Sequence, residues 1–437
     1  MRLPEPVLTC IHRLERAGFP AYAVGGCVRD HLLGREPNDY DLCTAASPKE
    51  ICRVFADCRL IHNGEKHGTI GVILEGEVYE ITTFRKEGTY QDCRHPDWVE
   101  FVSDVKEDLA RRDFTVNSMA YAPEKGLINP FGGRQDLENH ILRAVGNPET
   151  RFREDALRIL RGVRFAVRFG LQPEPETQKA MERCSCLMEQ LAAERIFDEL
   201  CKLLPVVKAG DLLGFAPVIT QVIPELREAV GFCQHSPYHK YDVYTHICHV
   251  VENTPSELPL RWAALLHDAG KPGVFTQDAG GRGHFYGHDR VSAQLTHQVL
   301  LRLKAPTVLR EQVEFLVSRH MMPWEGNMAE MRRRMGKFGA ENIRMLLQLQ
   351  KADALGKGTA VNLADTVFPN LEALFQQVLT EKACLTVHDL AVNGRDFIEM
   401  GMQPGPELGR HLEMLLGMVQ EEKVSNTREA LLAVPFA

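Results

Sequence analysis

The sequence predicts an α+β fold in which a small mixed sheet near the N-terminus precedes a mostly helical chain. Residues 69–84 alternate in the manner of strands around a Glu-Gly turn, which is the pattern of a β-hairpin. Residues 22–33 show a short apolar strand, then Gly25-Gly26, then a helix. Residues 5–17 and 151–168 carry apolar side chains at helical spacing, which predicts amphipathic helices.

Length and composition indicate a protein of several domains. A chain of 437 residues is too long for one hydrophobic core, and 44% hydrophobic with 25% charged residues is ordinary for soluble proteins. The net charge of −8 argues against a protein that coats nucleic acid non-specifically, although it permits a local basic groove. The 12 cysteines are scattered, without a CxxC pair, and no secretory segment or long apolar run occurs. We therefore expect reduced thiols, a cytoplasmic location and no membrane partner.

Asp39 and Asp41 are the first candidate catalytic residues. Side chains two residues apart on a strand share one face, and two carboxylates so placed repel each other unless a cation lies between them. Magnesium is the usual cation, because it takes oxygen ligands and shares them with substrate phosphates. The alternative interpretation is that both aspartates are turn residues beside Pro37-Asn38.

Several features near this pair suit a phosphate. Gly25-Gly26 lies between a strand and a helix, where backbone N–H groups approach phosphates closely, and Arg29 follows one turn later. Arg111-Arg112 either belongs to a solvated face or neutralises a triphosphate as charge develops. Glu80, on the hairpin, is either a third metal ligand or a solvent-facing residue, and we favour the second. The polar stretch from Arg85 to Pro96 predicts a mobile loop.

Residues 151–168 predict one helix with a charged stripe. Asp155, Arg158, Arg161 and Arg164 recur every three residues, a spacing that also fits a solvated helix face. Asp155 offers only hydrogen-bond acceptors and Arg158 only donors. Cytosine and adenine present an amino donor beside a ring-nitrogen acceptor, whereas guanine and uracil present the reverse. One Asp and one Arg a helical turn apart would therefore select C and A, as a template made of protein.

Taken together, five ordered motifs resemble motifs A to E of the class II CCA-adding tRNA nucleotidyltransferases, over about the first 230 residues. The motifs are Gly-Gly-x-Val-Arg-Asp, Asp-Tyr-Asp, Arg-Arg-Asp-Phe-Thr-x-Asn, Glu-Asp-x-Leu-Arg-x-x-Arg, and Glu-Arg-Ile-Phe-Asp-Glu-Leu at 194–200. The resemblance implies a polymerase-β-like head, a helical neck, and stepwise addition of C, C and A to the tRNA 3′ end from CTP and ATP. It implies no DNA partner.

The resemblance also implies roles for individual residues. Asp39 and Asp41 would be catalytic and hold two Mg²⁺ ions. The nucleotide would be bound by residues that match the family's motifs, namely Gly26, Arg29, Arg112, Asp155, Arg158, Arg161 and Arg164. Asn129 departs from the family pattern, where an acidic residue is more common, and this puts one local contact in doubt.

A histidine-rich stretch in the middle of the chain resembles the HD phosphohydrolase superfamily. His267-Asp268 closes an apolar helix, His246 precedes it, and Asp353 follows in Lys-Ala-Asp-Ala-Leu-Gly. The resemblance implies that these four residues bind a divalent metal such as Mn, Ni, Co or Mg. His288 and His320 are possible further ligands or phosphate contacts. The segment would be a phosphodiesterase or phosphatase acting on tRNA ends or nucleotides, or else a helical body that only supports tRNA.

The sequence suggests four domains. They are the nucleotidyltransferase head at 1–140, a helical neck with base- and RNA-binding elements at 141–230, an HD domain at 231–360, and a helical tRNA-binding domain at 361–437. Within the last, a Gly-x-x-Pro-Gly-Pro turn opens a helix whose backbone N–H groups suit an RNA phosphate. Arg332–Arg334 with Lys337 is another basic candidate, although plain surface structure is the more economical interpretation of both.

Three other functions fit parts of the sequence. An A-adding enzyme of a split CC/A system or a poly(A) polymerase would share the head. The stretch from Arg85 to Pro96 disfavours an enzyme that adds only CC, because such family members lack this loop. An RNA-binding phosphohydrolase would require a degenerate head, whereas every head motif is intact.

Overall fold

The computed structural model describes residues 1–87, 99–358, 363–381 and 383–435. Its contacts group the chain into two compact units. The first contains Met1–Val206 and Phe215–Val222, and the second contains Val207–Gly214 and Ile223–Ala437. The four predicted domains are a finer division and stay a prediction.

The first unit is built on a mixed sheet, as predicted. Its strands, with four short ones outside the main sheet, are β1 (Ala21–Val24), β2 (Leu42–Thr44), β3 (Arg59–Ile61), β4 (Thr69–Leu74), β5 (Glu77–Thr83), β6 (Arg85–Glu87), β7 (Val99–Phe101), β8 (Ala120–Ala122), β9 (Gly126–Ile128), β10 (Ile141–Leu142) and β11 (Gln172–Pro173). Seven of them form one sheet in the order β3-β4-β5-β2-β1-β8-β9. Only the β2–β5 pair is parallel within this sheet.

The predicted hairpin is the β4–β5 pair, in which Thr69 lies opposite Thr82. Its turn places Glu75 and Gly76 at positive φ, as the two-residue turns that match strand twist require. The predicted loop from Arg85 to Pro96 is partly wrong, because Arg85–Glu87 pairs with Val99–Phe101 as an antiparallel ribbon. The rest of that predicted loop lies outside the described residues.

The helices up to residue 222 pack beside the sheet or follow it in the chain, and α10 belongs to the second unit. They are α1 (Glu5–Arg16), α2 (Gly26–Leu32), α3 (Pro48–Val54), α4 (Val105–Ala110), α5 (Gly133–Glu138), α6 (Pro148–Glu154), α7 (Leu157–Phe169), α8 (Pro175–Arg183), α9 (Ala193–Leu203), α10 (Ala209–Gly214) and α11 (Ala216–Val222). Tyr22, Cys43, Phe84 and Leu109 belong to a buried apolar cluster that joins the sheet to α4. This packing fixes the ends of β1 and β2.

The second unit is helical apart from a two-stranded ribbon, β12 (Thr276–Gln277) and β13 (Gly283–His284). Its further helices are α12 (Val243–Asn253), α13 (Leu258–Leu266), α14 (His288–Arg302), α15 (Thr307–Arg319), α16 (Met328–Phe338), α17 (Ala340–Gly356), α18 (Leu363–Thr366), α19 (Phe368–Thr380), α20 (Gly394–Glu399), α21 (Pro406–Gln420) and α22 (Arg428–Leu432). Helices α12, α13, α15 and α17 pack together, with Trp262 fully buried. In the described parts of the chain, none of the helices has the length and apolar character needed to cross a bilayer.

Candidate functional sites in the two units

A polar cavity of about 410 Å³ opens in the first unit at the ends of β1 and β2. Nearly all of the residues that the sequence predicts for nucleotide transfer line it, and Arg164 is the exception among them. Among the described residues, the lining consists of Gly25, Gly26, Arg29, Asp39, Asp41, Arg111, Arg112, Asp113, Asn117, Asp155, Leu157, Arg158, Arg161, Phe165 and Arg195. Segments distant in sequence therefore meet at one polar opening.

The glycine pair brings an arginine to this opening. Gly25 has φ +77°, and a side chain there would place its Cβ 2.8 Å from Nη1 of Arg112. The Gly25 N–H donates to the carbonyl of Met119 at 3.0 Å, so this N–H is already paired. Nε of Arg112 is buried without a hydrogen-bond partner among the described residues. Because a buried, unpaired donor is costly, Arg112 is suited to an anionic ligand in the cavity.

Asp39 and Asp41 lie just before β2 and not on it, which corrects the predicted strand placement. The N–H of Val24 donates to the backbone carbonyl of Asp41 at 3.0 Å, which ties this segment to β1. Leu42 pairs with Ile81 in parallel register, so Glu80 lies beside Asp41. Burial raises the pKa of Asp41, the carboxylates of Asp39 and Glu80 raise it further, and Arg112 opposes them. A cluster of like charges next to an open cavity favours a divalent cation.

Arg29 is held by the protein at the back of the cavity. It donates to Oδ1 of Asp30 at 2.9 Å and to Oδ1 of Asn117 at 2.6 Å, and its guanidinium lies 4.1 Å from the ring centroid of Phe169. Burial lowers the pKa of Arg29. The side chain supports the wall and has further N–H groups to offer a phosphate.

Arg161 is paired with Asp113. Both its Nε and its Nη2 donate to Oδ2 of Asp113, at 2.9 and 2.7 Å. Burial would raise the pKa of Asp113, but Arg161 and a hydrogen bond from Asn117 outweigh it and lower the pKa to about 2. Asp113 is therefore ionised, and it fixes Arg161 at the cavity wall.

The predicted single helix over 151–168 is wrong, because the chain leaves the helix at Asp155. That residue has extended φ and ψ of −143° and 104° between α6 and α7, and its Oδ1 accepts from the N–H of Leu157 at 3.1 Å. This local hydrogen bond competes with helix continuation, as aspartates commonly do. Asp155 and Arg158 still line one cavity, but through a break between two helices and not through helical spacing.

Arg158 is held by protein acceptors. Nη1 donates to Oε2 of Glu154 at 2.6 Å, and Nη2 donates to the carbonyl of Arg111 at 3.0 Å.

Arg195, on α9, was not predicted as a site residue, although it lies in the motif at 194–200. Its Nη2 donates to Oδ2 of Asp155 at 2.8 Å, while its Nη1 is buried and unpaired among the described residues. The Glu194-Arg195 pair at the start of that motif is the sequence feature that could have identified Arg195 as a site residue.

Arg164 lies in a different environment from the rest of the stripe. It is buried, its Nε donates to Oε2 of Glu199 at 2.6 Å, and it contacts the face of Phe165. A buried pair of this kind is structural in its geometry. Asn129, the departure from the family pattern, donates to Oε1 of Gln135 and accepts from the N–H of Arg134.

In the second unit, α12, the end of α13 and α17 bring together the four residues of the predicted HD site. One ligand atom from each of His246, His267, Asp268 and Asp353 lies within 4.8 Å of all the others. His246 Nε2 is 3.3 Å from Asp268 Oδ2 and 3.0 Å from Asp353 Oδ1. Burial would lower the pKa of His267, but Asp268 and Asp353 outweigh it and raise the pKa to about 9. The position therefore favours positive charge.

The histidine orientations suit a metal. Nδ1 of His246 lies 3.1 Å from the carbonyl of Gly356, and Nδ1 of His267 lies 2.8 Å from that of Ala264. Since a carbonyl only accepts, each Nδ1 carries the proton and each Nε2 presents a lone pair in the neutral ring. These Nε2 atoms are 3.4 Å apart, an arrangement that a shared cation stabilises.

A second group repeats the pattern around the other oxygen of Asp268. Nδ1 of His288 and of His320 each lie 2.7 Å from a backbone carbonyl, and their Nε2 atoms are 3.1 Å apart. Oδ1 of Asp268 is 3.2 Å from Nε2 of His288. The possible extra ligands named from the sequence therefore lie beside the predicted quartet, and Asp268 faces both histidine pairs.

The basic candidates near the C-terminus are mostly paired. Arg332 is buried, and it contacts the carbonyl of Gln420 and the carboxylates of Glu381 and Glu422. The predicted Gly-x-x-Pro-Gly-Pro turn does open a helix, since α21 begins at Pro406.

Known families match three stretches of the chain. The family model described as the Poly A polymerase head domain matches residues 21–143. The tRNA nucleotidyltransferase domain 2 model matches residues 290–434, and the model for the RNA and SrmB-binding site of polymerase A matches residues 170–209.

Full-length relatives extend this similarity. The CCA-adding enzyme of Latilactobacillus sakei is 32% identical over 434 residues, covering 97% of this chain and 96% of the relative. That of Limosilactobacillus fermentum is 34% identical over 437 residues, covering 98% and 95%. Among solved structures, the Bacillus stearothermophilus CCA-adding enzyme in complex with CTP aligns with a TM-score of 0.70 at 28% identity, covering 99% of this chain and 97% of the other.

A mixed-sheet head with a cavity of carboxylates and arginines, matched by these families, defines a nucleotidyltransferase. The relatives that align with nearly the whole chain identify the family within this class. The chain belongs to the family of CCA-adding enzymes.

Proposed function

We propose that this protein adds C, C and A in turn to the 3′ end of tRNA, using CTP and ATP and no nucleic-acid template. The observation that carries the proposal is the convergence on one cavity of a carboxylate pair, unpaired arginine donors and Asp155. Carboxylates suit metal, arginines suit a triphosphate, and an acceptor beside a donor suits the edges of C and A.

The proposed catalytic step assigns distinct work to these side chains. Asp39 and Asp41 would hold two Mg²⁺ ions, with Glu80 near enough to contribute to the same charge cluster. When bound, Mg²⁺ supplies a lowered pKa of the tRNA 3′-hydroxyl and neutralisation of the leaving pyrophosphate. Arg112 would donate its unpaired Nε to the triphosphate, and Arg29 would line the glycine turn beside it.

Base selection would rest on Asp155. Its oxygens already accept from Leu157 and Arg195, but a carboxylate has about four lone-pair sites, so room remains for the amino group of C or A. Arg158 remains the predicted donor to the ring nitrogen. The unpaired Nη1 of Arg195 is a second donor at the same edge of the cavity.

The direct test uses three tRNAs that end before CCA, after C and after CC, each incubated with CTP and ATP. We expect all three to finish with the same CCA end when their 3′ termini are sequenced. Extension of only the CC-ended tRNA by a single A would identify an A-adding enzyme. A long A tail on any substrate would identify a poly(A) polymerase.

The His-Asp cluster supports a second function, a metal-dependent phosphohydrolase acting on nucleotide or tRNA-end phosphates. Paired, inward-facing Nε2 atoms beside buried carboxylates are the supporting observation. Nitrogen and oxygen donors suit Mn, Ni, Co or Mg. His246, His267, Asp268 and Asp353 would hold one ion, and His288 and His320 with Asp268 would hold another. A bound ion would supply an activated water and polarise the phosphate.

The test of this second function is release of phosphate from 2′-phosphorylated or 2′,3′-cyclic nucleotides across a panel of these metals. We expect turnover that EDTA removes and that His267→Ala lacks. No turnover with any metal would leave the segment with a supporting role and would not affect the first proposal.

A further inference from the structure

Two exposed tyrosines lie at the rim of the cavity that contains the His-Asp cluster. Tyr286 is 79% exposed and Tyr238 is 59% exposed, and both line the same cavity as Asp268 and Asp353, whose volume is about 250 Å³. A site that recognises only a phosphate has no use for aromatic rings, because cations and metal bind phosphate. The rings therefore point to a second part of the ligand.

Tyr286 is held in one orientation from one side. Its ring is nearly parallel to that of His284, with an interplanar angle of 6° and centroids 5.4 Å apart. The hydroxyl of Tyr286 lies 3.4 Å from Nδ1 of His284, whose Nε2 lies 3.0 Å from Oδ2 of Asp278. Since an aromatic ring has two faces and His284 contacts one, the high exposure of Tyr286 leaves the other face available for stacking.

Cationic side chains also line the cavity that contains the His-Asp cluster. The guanidinium of Arg282 lies 4.9 Å from the ring centroid of Tyr238, which gives a second flat, polarisable surface at the rim. Deeper in the cavity, Lys271 contacts Asp268 at 2.7 Å and Lys357 contacts Asp353 at 3.3 Å. The cations and metal ligands lie inside, and the flat surfaces lie at the opening.

We propose that the rim is a nucleobase subsite, in which the base of a nucleoside phosphate or of an RNA terminus stacks on Tyr286 beside the Tyr238–Arg282 pair. The inference rests on the proposed phosphohydrolase and identifies the residues that would recognise the nucleoside part of its substrate, so that phosphates carrying a nucleoside are preferred over simple phosphate esters. Stacking on aromatic side chains accepts every base, so little preference among bases follows.

The first experiment is hydroxyl-radical footprinting read by mass spectrometry, on protein freed of metal so that the ligand is not consumed. Saturating adenosine 2′-phosphate should protect Tyr286 and Tyr238 from oxidation, whereas glycerol 2-phosphate should not. Tyr121, on β8 in the first unit, is the internal reference. Equal oxidation of Tyr286 with the two ligands would overturn the subsite.

The second experiment measures steady-state kinetics with the metal-loaded protein. Tyr286→Ala should raise the KM for adenosine 2′-phosphate about tenfold and leave that for glycerol 2-phosphate unchanged. Tyr286→Phe should restore the wild-type value, and Val308→Ala, at an exposed position on α15, should have no effect. Equal effects of Tyr286→Ala on both substrates would contradict the proposal.

The two proposals fail in different ways. No turnover of either substrate would remove the phosphohydrolase, and the footprint would then decide alone whether nucleotides bind at the rim. Turnover of both substrates with unprotected tyrosines would keep the phosphohydrolase and remove the subsite.

Discussion

The two sites of this protein differ in how their charged and polar groups are paired. In the head cavity, arginines face the opening and are held by the protein's own acids, as Asp113 holds Arg161 and Glu154 holds Arg158. In the His-Asp cluster, the protein's lone pairs face one another across short distances. The arginines of the first site present fixed positive charge to an anion, and the facing lone pairs of the second favour a cation between them.

The two sites also differ in how the backbone supports them. The cluster residues lie on or directly beside packed helices, and backbone carbonyls orient their rings. The cavity residues come from a glycine turn, a strand approach and a break between α6 and α7. A cluster oriented by packed helices thus contrasts with a cavity assembled from turns and chain breaks.

The largest expected effect separates the two activities. Asp39→Ala or Asp41→Ala should lower nucleotide incorporation by about a thousandfold or more, because each removes a ligand of the catalytic metal. Binding of tRNA, measured by filter retention, should change little, and phosphate release at the cluster should be normal. Glu77→Ala, at an exposed position on β5, is the control. Near-normal incorporation by either variant would refute the two-metal assignment.

The reciprocal variant is His267→Ala. It should lower phosphate release and the metal retained after dialysis by about a hundredfold, while CCA addition continues at its normal rate. Activity assays and elemental analysis measure these quantities. His297→Ala, which removes a half-exposed histidine of α14, should behave as wild type. A parallel loss of CCA addition would show that the cluster serves the head and is not an independent site.

Arg195→Ala tests the residue that holds Asp155. Loss of its hydrogen bond should lower the preference for A over G about tenfold, on a tRNA ending in CC. Combined with Asp155→Ala, it should add little, because both variants remove one shared contact. Arg183→Ala, at an exposed ion pair on α8, is the matched control. Additive losses in the double variant would mean that Arg195 acts independently of Asp155.

Arg164→Ala should have the smallest effect on nucleotide handling. It leaves the buried Glu199 with only Lys202, at 3.6 Å, as a cationic neighbour. The free energy of unfolding should fall by about 3 kcal/mol, while the KM for CTP and ATP stays the same. The double variant Arg164→Met with Glu199→Leu should recover much of the loss in urea titrations. A raised KM without a stability change would place Arg164 among the nucleotide contacts instead.

Sequence patterns predicted the local elements of the fold and the side chains whose chemistry is distinctive. The β4–β5 hairpin and the glycine turn follow from spacing and chemistry that neighbouring residues dictate. The grouping of His246, His267, Asp268 and Asp353 was expected from a family resemblance, and the structure brings these four residues together. The break at Asp155 did not follow, because the side chain of Asp155 captures the N–H of Leu157 in place of helix continuation. The sequence also did not predict which side chains pair. Arg195 bonds to Asp155, and Glu199 bonds to Arg164, only because α9 packs against α7.

In the proposed mechanism, protein groups choose the nucleobase. This claim is tested most directly by offering each of the four nucleoside triphosphates singly to a tRNA ending in CC, with wild type and Asp155→Ala. Wild type should incorporate A far faster than G or U, and Asp155→Ala should lose this preference more than it loses triphosphate affinity. Unchanged selectivity in Asp155→Ala would contradict the claim.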